Sequence, residues 1–318
     1  MTRSTLCLFV AGAALIVSGC TAVPPAAPIA PSAVATGTSQ LLEDVRILSA
    51  DDMQGRDTGS EGGERARAYI VSRLEAMGVQ AAPFGRLQRF EAPGRTREGV
   101  KTFSGVNIVG LIPGTRVADR YIVVTAHYDH VGVNDGQVFH GADDNASGVA
   151  TMLELAARLK AQPPEHSVLI VALDGEERGL LGAREFVKAP PVPLSSLSLN
   201  LNFDMTARAE TDGHLWVTGT YQHPNLRPVL EAVVPNGAVS FAFGKDTPQD
   251  TGENNWVDAS DHGAFNEAGV PFLYMGVDYH PDYHRPSDTF DRITPSVFTS
   301  ATEIAIAGFR ALDQALDR

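Results

Sequence analysis

Cysteine is nearly absent from this chain. Only Cys7 and Cys20 occur in 318 residues, and both precede the part of the sequence that reads as folded. That excludes a disulfide framework, and it excludes a structural zinc site built from thiolates, so any zinc would need His and carboxylate ligands. Basic residues are also in deficit, with 25 Lys and Arg against 38 Asp and Glu and a net charge of −13. Such a surface is unsuited to nucleic acid or anionic lipid. No Gly-x-Ser-x-Gly elbow occurs, and no cysteine is placed to act as a nucleophile, so nothing supports a covalent route. No apolar run reaches the roughly 20 residues that span a bilayer. What remains, 43% hydrophobic and 20% charged, is the composition of an ordinary folded protein. The length suits one large α/β domain or two small ones.

The N-terminus reads as an export leader. Arg3 supplies a positive start and residues 6–17 are almost wholly apolar, the core of a signal peptide. The run ends in Val17-Ser18-Gly19-Cys20, which resembles a bacterial lipobox. The resemblance implies that residues 1–19 are removed and that Cys20 carries lipid, with Thr21 after it favouring the outer over the inner membrane, facing the periplasm. Residues 20–39, rich in Ala, Pro, Thr and Ser, read as a flexible tether. No further domain boundary follows, so residues 40–318 are expected to form one catalytic domain.

Helical periodicity covers residues 40–48 and 61–77, the second closed by Gly78. Between them Met53-Gln54-Gly55-Arg56-Asp57-Thr58-Gly59-Ser60 reads as a loop, and residues 86–102 as polar and irregular. Residues 106–111, 121–126, 167–173, 199–203 and 271–275 read as strands, several of them continuous apolar runs of the buried kind. Residues 148–160 read as a helix. Strands alternating with helices imply an α/β fold with a mostly parallel sheet covered on both faces.

Each buried run leads into ligand-type residues. Residues 121–126 precede His127-Tyr128-Asp129, 167–173 precede Asp174, Glu176 and Glu177, and 199–203 precede Asp204. Sites in open α/β sheets gather at the carboxyl ends of strands. His127 can offer one ring nitrogen to a metal while Asp129 accepts the other N–H. Asp144 lies in the small-residue stretch Gly141-Ala142-Asp143-Asp144-Asn145-Ala146-Ser147-Gly148, where the backbone can approach a site closely. Asp143, Asp144 and Ser147 are equally suited to capping the helix that follows. Two adjacent carboxylates after a buried strand, Glu176 and Glu177, repel each other unless a cation sits beside them. One can bind metal while the other takes a proton. Tyr283-His284-Arg285-Pro286-Ser287-Asp288-Thr289 adds a His and a phenol in a turn-prone loop.

Taken in order, T-A-H-Y-D-H, G-A-D-D-N-A-S-G, G-E-E-R-G-L-L-G-A, N-F-D-M and Y-H-R-P-S-D-T resemble the co-catalytic zinc exopeptidases of the aminopeptidase Y and bacterial leucyl aminopeptidase type. The resemblance extends over roughly residues 41–317. It implies a three-layer sandwich, with a mixed, mostly parallel sheet flanked by helices, and two Zn2+ ions. Asp144 would bridge the ions, His127 and Asp204 would complete one, and Glu177 and His284 the other. Glu176 would be the general base, Asp129 the partner of His127, and Tyr283 a donor to the oxyanion. Substrates would be peptides with a free N-terminus. His130, His140, Asp143, Asp261, His262 and Asp288 receive no direct metal role on this reading. Cobalt or manganese suits much of the same ligand set. Two rival functions share the fold: a glutaminyl cyclase holding one zinc, against which His127 argues, and a receptor-like lipoprotein, which would have lost ligands or base. A carboxypeptidase or dipeptidase would carry an insert for which this chain has little room.

Overall fold

β-Branched and aliphatic runs bounded by Gly, Pro and charged residues build the centre of this protein, seen here in a computed structural model that describes residues 1–2, 38–96 and 98–317. All but the first two residues of the expected leader, Cys20 and most of the tether fall outside those residues. In chain order the elements are α1 (Thr38–Leu48), α2 (Glu61–Ala76), β1 (Gln80–Ala81), β2 (Leu87–Thr96), β3 (Gly99–Ile112), β4 (Val117–His127), β5 (Gly132–Asn134), β6 (Gln137–Phe139), α3 (Gly148–Ala161), β7 (His166–Leu173), α4 (Leu181–Lys188), β8 (Leu197–Phe203), β9 (His214–Thr218), α5 (Arg227–Glu231), β10 (Ser240–Phe243), α6 (His262–Glu267), β11 (Phe272–Gly276) and α7 (Pro295–Ala315).

The main sheet runs β1-β3-β7-β4-β8-β11-β9-β10, with β2 paired to β3 outside that path. Its middle is parallel: β7 and β8 both flank β4, and β11 flanks β8. β3 joins β7 antiparallel, and β9 joins β11 antiparallel, so the sheet is mixed. β7 and β8 are buried at every residue because helices cover both faces, which is why these strands show no polar alternation. One apolar layer packs α1, α2, α3 and α7 against the sheet, centred on residues such as Ile70, Leu153 and Phe309. The other packs α4 and α6 through Ala183, Phe186, Ala264 and Phe265. This is the expected three-layer α/β sandwich.

Two expectations differ. Residues 86–102 are not irregular: β2 and β3 pair antiparallel from Leu87↔Ile108 to Thr96↔Gly99. Pro93 and Gly94 inside β2 disguise it, yet Pro93 is tolerable because β2 has one paired edge only. Phe90, Ala92 and Gly94 alternate inward. The first helix begins at Thr38 rather than 40, which shortens the expected tether.

The parallel strands β4, β7, β8 and β11 end along one edge, with His127 level with Leu173 and Phe203 level with Met275. At the opposite edge α7 is tied to the start of β7. The buried Asp313 carboxylate accepts Glu165 N at 2.8 Å, His166 N at 2.9 Å and His166 Nδ1 at 3.0 Å. Asp313→Ala strands these donors and is expected to cost about 2–3 kcal/mol. A lower urea midpoint at unchanged slope would register it.

Candidate metal centre

β4 delivers His127 rigidly at its last residue, and the turn after β7 brings Glu176 and Glu177 beside it. His127 Nε2 lies 3.3 Å from Asp204 Oδ1 and 3.4 Å from Asp144 Oδ1. Asp204 follows β8 directly, and its carbonyl accepts the Tyr274 hydroxyl at 3.0 Å. On the other side of Asp144, His284 Nε2 is 3.0 Å from Asp144 Oδ2 and 3.2 Å from Glu177 Oε1. The five expected ligands thus come together, with Asp144 between the two groups.

His130 joins them. Its Nδ1 is 2.9 Å from Glu177 Oε1 and 3.6 Å from Asp144 Oδ2. The donor atoms of His130, Asp144, Glu177 and His284 lie within 4.8 Å of one another, as do those of His127, Asp144 and Asp204. The sequence reading set His130 aside. The signal was its spacing of three from His127, which places both rings on the turn leaving β4.

Asp129 is buried but meets His127 differently from expectation. His127 Nδ1 is 3.1 Å from the Asp129 carbonyl oxygen and 3.8 Å from its carboxylate. The carboxylate instead accepts the backbone N–H of Glu176 at 3.0 Å and of Glu177 at 3.3 Å, with Thr58 Oγ1 at 3.3 Å. Asp129 therefore anchors the Glu-Glu turn as well as touching the ring. Helix capping by Asp143, Asp144 or Ser147 is also absent from α3. Asn145 does that work: its Oδ1 accepts Gly148 N at 2.9 Å and Met205 N at 3.1 Å, and its Nδ2 donates to Phe203 O at 2.9 Å. Asp144 is left free to face the cluster. Asp288, also set aside, accepts Asp143 N at 3.0 Å and Asp144 N at 3.0 Å, and burial raises its pKa to about 6.

The electrostatics call for cations. Burial works against the Glu177 carboxylate, yet hydrogen bonds from His130 and His284 hold its pKa well below the usual range. Burial likewise opposes protonation of His284, but Asp144 and Glu177 raise it to about 11. His127 is lowered by burial and raised more by Asp204 and Glu176, for a net rise. Glu176 has no imidazole bonded to it, and burial lifts its pKa well above the ordinary carboxylate range, with Glu177 adding to the rise. Asp144 Oδ2 is buried and lacks a hydrogen bond of normal geometry although His284 Nε2 is 3.0 Å away. The donor atoms around it lie within 4.8 Å of one another and converge on a shared space. Carboxylates and imidazoles converging in this way fit zinc by donor chemistry.

Behind the cluster stands Arg56, fully buried. Its Nε donates to Tyr128 O at 2.8 Å, Nη1 to Leu48 O and His140 O at 2.6 Å each, and Nη2 to Gly141 O at 2.9 Å and Asp144 O at 3.3 Å. Burial lowers its pKa to about 10 while Asp144, Asp288, Asp129 and Glu177 hold it up, so it stays charged at neutral pH. The next residue, Asp57, bonds Arg178 Nη2 at 2.5 Å, beside the two glutamates. Gly55 (φ +64) lets this loop pass: a Cβ there would sit 2.4 Å from Phe139 O and 2.5 Å from Gly132 O.

Two clefts meet at this cluster. The enclosed one is walled by Met205, Trp256, Tyr274, Val277, Tyr279 and Tyr283. Trp256 is steadied by Lys245, whose Nζ lies 4.8 Å from the ring centre and bonds Asp278 at 2.9 Å. Met205 follows β8, Tyr274 lies in β11, and Val277, Tyr279 and Tyr283 follow β11. The open cleft shares Glu176 and Tyr283 with the enclosed one. Tyr283 stacks on His284 with ring centres 4.0 Å apart.

Residues 107–308 match the family model described as Peptidase family M28. The chain belongs to that family. Aminopeptidase YwaD of Bacillus subtilis is 29% identical over 215 residues, 63% of this chain and 43% of its own. A Mycobacterium tuberculosis protein named "Probable lipoprotein aminopeptidase LpqL" is 26% identical over 278 residues, 78% of this chain and 53% of its own. The chain thus spans about half the length of these curated relatives. Among solved structures, the zinc aminopeptidase BSAP from Bacillus subtilis superposes with a TM-score of 0.69 at 18% identity, covering 89% of this chain and 96% of its own. The glutaminyl cyclase of Porphyromonas gingivalis reaches 0.68 at 20% identity, covering 88% and 98%. At such identity these two establish the fold.

Arg56 lies outside the matched residues, yet it ties the loops carrying His127 and Asp144 to the N-terminal segment. Arg56→Lys keeps the charge and loses the fork; Arg56→Met loses both and leaves carbonyls unsatisfied, at an expected cost of at least about 3 kcal/mol. Both variants are expected to hold less metal after dialysis than the parent, Met the least. Mass-spectrometric metal content beside a thermal melt would measure this.

Proposed function

We propose that this protein is a zinc-dependent exopeptidase that removes the N-terminal residue from peptides. The observation that carries the reading is the pair of overlapping donor groups sharing Asp144, set between an enclosed pocket and an open cleft. His127, Asp144 and Asp204 would hold one zinc, and Asp144, Glu177 and His284 a second, with His130 in reach of the latter. Bound zinc would supply Lewis-acid polarisation of the scissile carbonyl and a lowered pKa for the attacking water. Family membership and the names of the curated relatives support the same reading.

The chain's own groups then divide the work. The N-terminal side chain enters the aromatic pocket lined by Trp256, Tyr274 and Tyr279. Its α-ammonium faces the carboxylates of Asp204 and Glu176. Glu176 lines both clefts, so it stands where the scissile bond must pass, and takes the proton of the attacking water. It then hands that proton to the leaving amine. The Tyr283 phenol stays protonated, its pKa raised by burial and by Asp144 and Glu177, and donates to the developing oxyanion. Asp129 holds the backbone of Glu176 and Glu177 in place for both tasks.

Export with a lipid on Cys20 belongs to the same proposal. It is supported by the leader, by the Ser18-Gly19-Cys20 junction and by the lipoprotein name of one relative. Among the described residues no helix is long and apolar enough to cross a membrane. Cys20→Ala is expected to move the protein from the membrane fraction to the soluble fraction of cells, read by immunoblot.

Metal content and turnover on one preparation test the activity. About two zinc ions per chain are expected, with cleavage of aminoacyl-anilides, none of their N-acetyl forms, and loss on chelation. Glu176→Gln should keep the metal and lose about 10²–10⁴ in kcat. Full activity in that variant would sink the assignment of the base. One zinc with cyclisation of N-terminal glutamine would make the protein a cyclase instead.

A further inference from the structure

The open cleft, about 580 Å3, is lined by Glu176, Glu177, Asp258, Tyr283 and His284 and by three arginines, Arg95, Arg178 and Arg184. Two of these cations are already matched. Arg178 bonds Asp57 through Nε at 3.1 Å and Nη2 at 2.5 Å, and Arg184 pairs with Glu267. Arg95 is exposed, and among the described residues its side chain has no ion pair or hydrogen bond. It is nevertheless held in place: its backbone N donates to Arg178 O at 2.9 Å, which docks the β2–β3 hairpin onto the turn carrying Glu176 and Glu177. The enclosed pocket is lined by no Lys or Arg. In a chain of net charge −13, an unneutralised guanidinium lining the same cleft as Glu176 and Glu177 is a local reversal of sign.

We propose that Arg95 binds a carboxylate on the leaving side of the scissile bond, which makes it a specificity-determining residue. This rests on the exopeptidase reading. With the N-terminal residue in the enclosed pocket, the remainder of the peptide must leave through the open cleft. A carboxylate lying over Glu176 and Glu177 would be repelled. Displaced to Arg95 it meets the guanidinium, whose planar fork matches a carboxylate. The carboxylate can be the C-terminus of a di- or tripeptide or the side chain of Asp or Glu following the cleaved residue. Arg95 precedes the residues that match the family model, 107–308.

The test compares wild type with Arg95→Gln, Arg95→Lys and Arg95→Glu on substrates sharing one N-terminal residue. The substrates are an anilide, a dipeptide amide ending in Gly-NH2, the free dipeptide and tripeptide ending in Gly, and dipeptide amides ending in Glu-NH2 and in Lys-NH2. Arg95→Gln should lower kcat/KM on one or more carboxylate substrates by about three- to ten-fold and leave the anilide and the Gly amide unchanged. Arg95→Lys should restore part of the loss, and Arg95→Glu should reverse the preference towards a Lys-NH2 dipeptide. Loss confined to the free peptides identifies the C-terminal carboxylate, and loss confined to the Glu amide identifies the side chain. An equal fall on the anilide, or no change on any carboxylate, overturns the assignment while leaving the peptidase intact. A wild type that turns over none of the substrates defeats the peptidase reading, and Arg95's role with it.

Discussion

Mutual repulsion among carboxylates is the constraint around which this protein is arranged. Asp144, Glu176, Glu177 and Asp204 converge at the ends of parallel strands, with Asp129 and Asp288 just behind them. Isolated in a buried site, such a set would protonate or push apart. Three imidazoles, one buried guanidinium and the zinc ions we propose balance it. The response is uneven. Glu177, between two imidazoles, is driven to the ionised form, while Glu176, without one, is driven the other way. Adjacent residues of the same type thus acquire different chemistry from their neighbours alone, which is what a site needing both a ligand and a base requires.

Holding such groups close takes rigidity from behind. Strand termini provide most of it, since β4 and β8 lead straight into His127 and Asp204. The loops between are fixed by backbone capture: Asp129 takes the amides of the Glu-Glu turn, Asp288 those of Asp143 and Asp144, and Asn145 bridges the start of α3 to the end of β8. Arg56 gathers the carbonyls of the same loops. Acidic side chains take N–H groups and a basic one takes C=O groups, so each anchor binds the backbone by the half that its charge favours.

How much of this was legible depended on whether the information was local. The parallel strands were, because residues buried on both faces must be apolar throughout, and 121–126, 167–173 and 199–203 obey this. The convergence of His127, Asp144, Glu177, Asp204 and His284 was legible through ordered motifs after those strands. β2 was not: Pro93 and Gly94 interrupt its pattern, and only pairing with β3 gives Phe90 and Ala92 something to cover. α7 carries Pro295 at its start and an apolar period through Phe298, Ala301, Ala305, Phe309 and Leu312, a signal present in the chain but not drawn from it.

The sequence by itself determined the class of fold, the inventory of ligand-type residues and their order, because burial and chemical type are written residue by residue. Tertiary structure decided what distance decides. It placed His130 against Glu177, turned the Asp129 carboxylate to the backbone of Glu176, and gave the helix cap to Asn145 instead of Asp144. Among the described residues it also left Arg95 unpaired while matching Arg178 and Arg184. Each of these outcomes depends on which groups from remote parts of the chain come within about 3–4 Å, the range at which hydrogen bonds and close ion pairs form, and no local pattern encodes that separation.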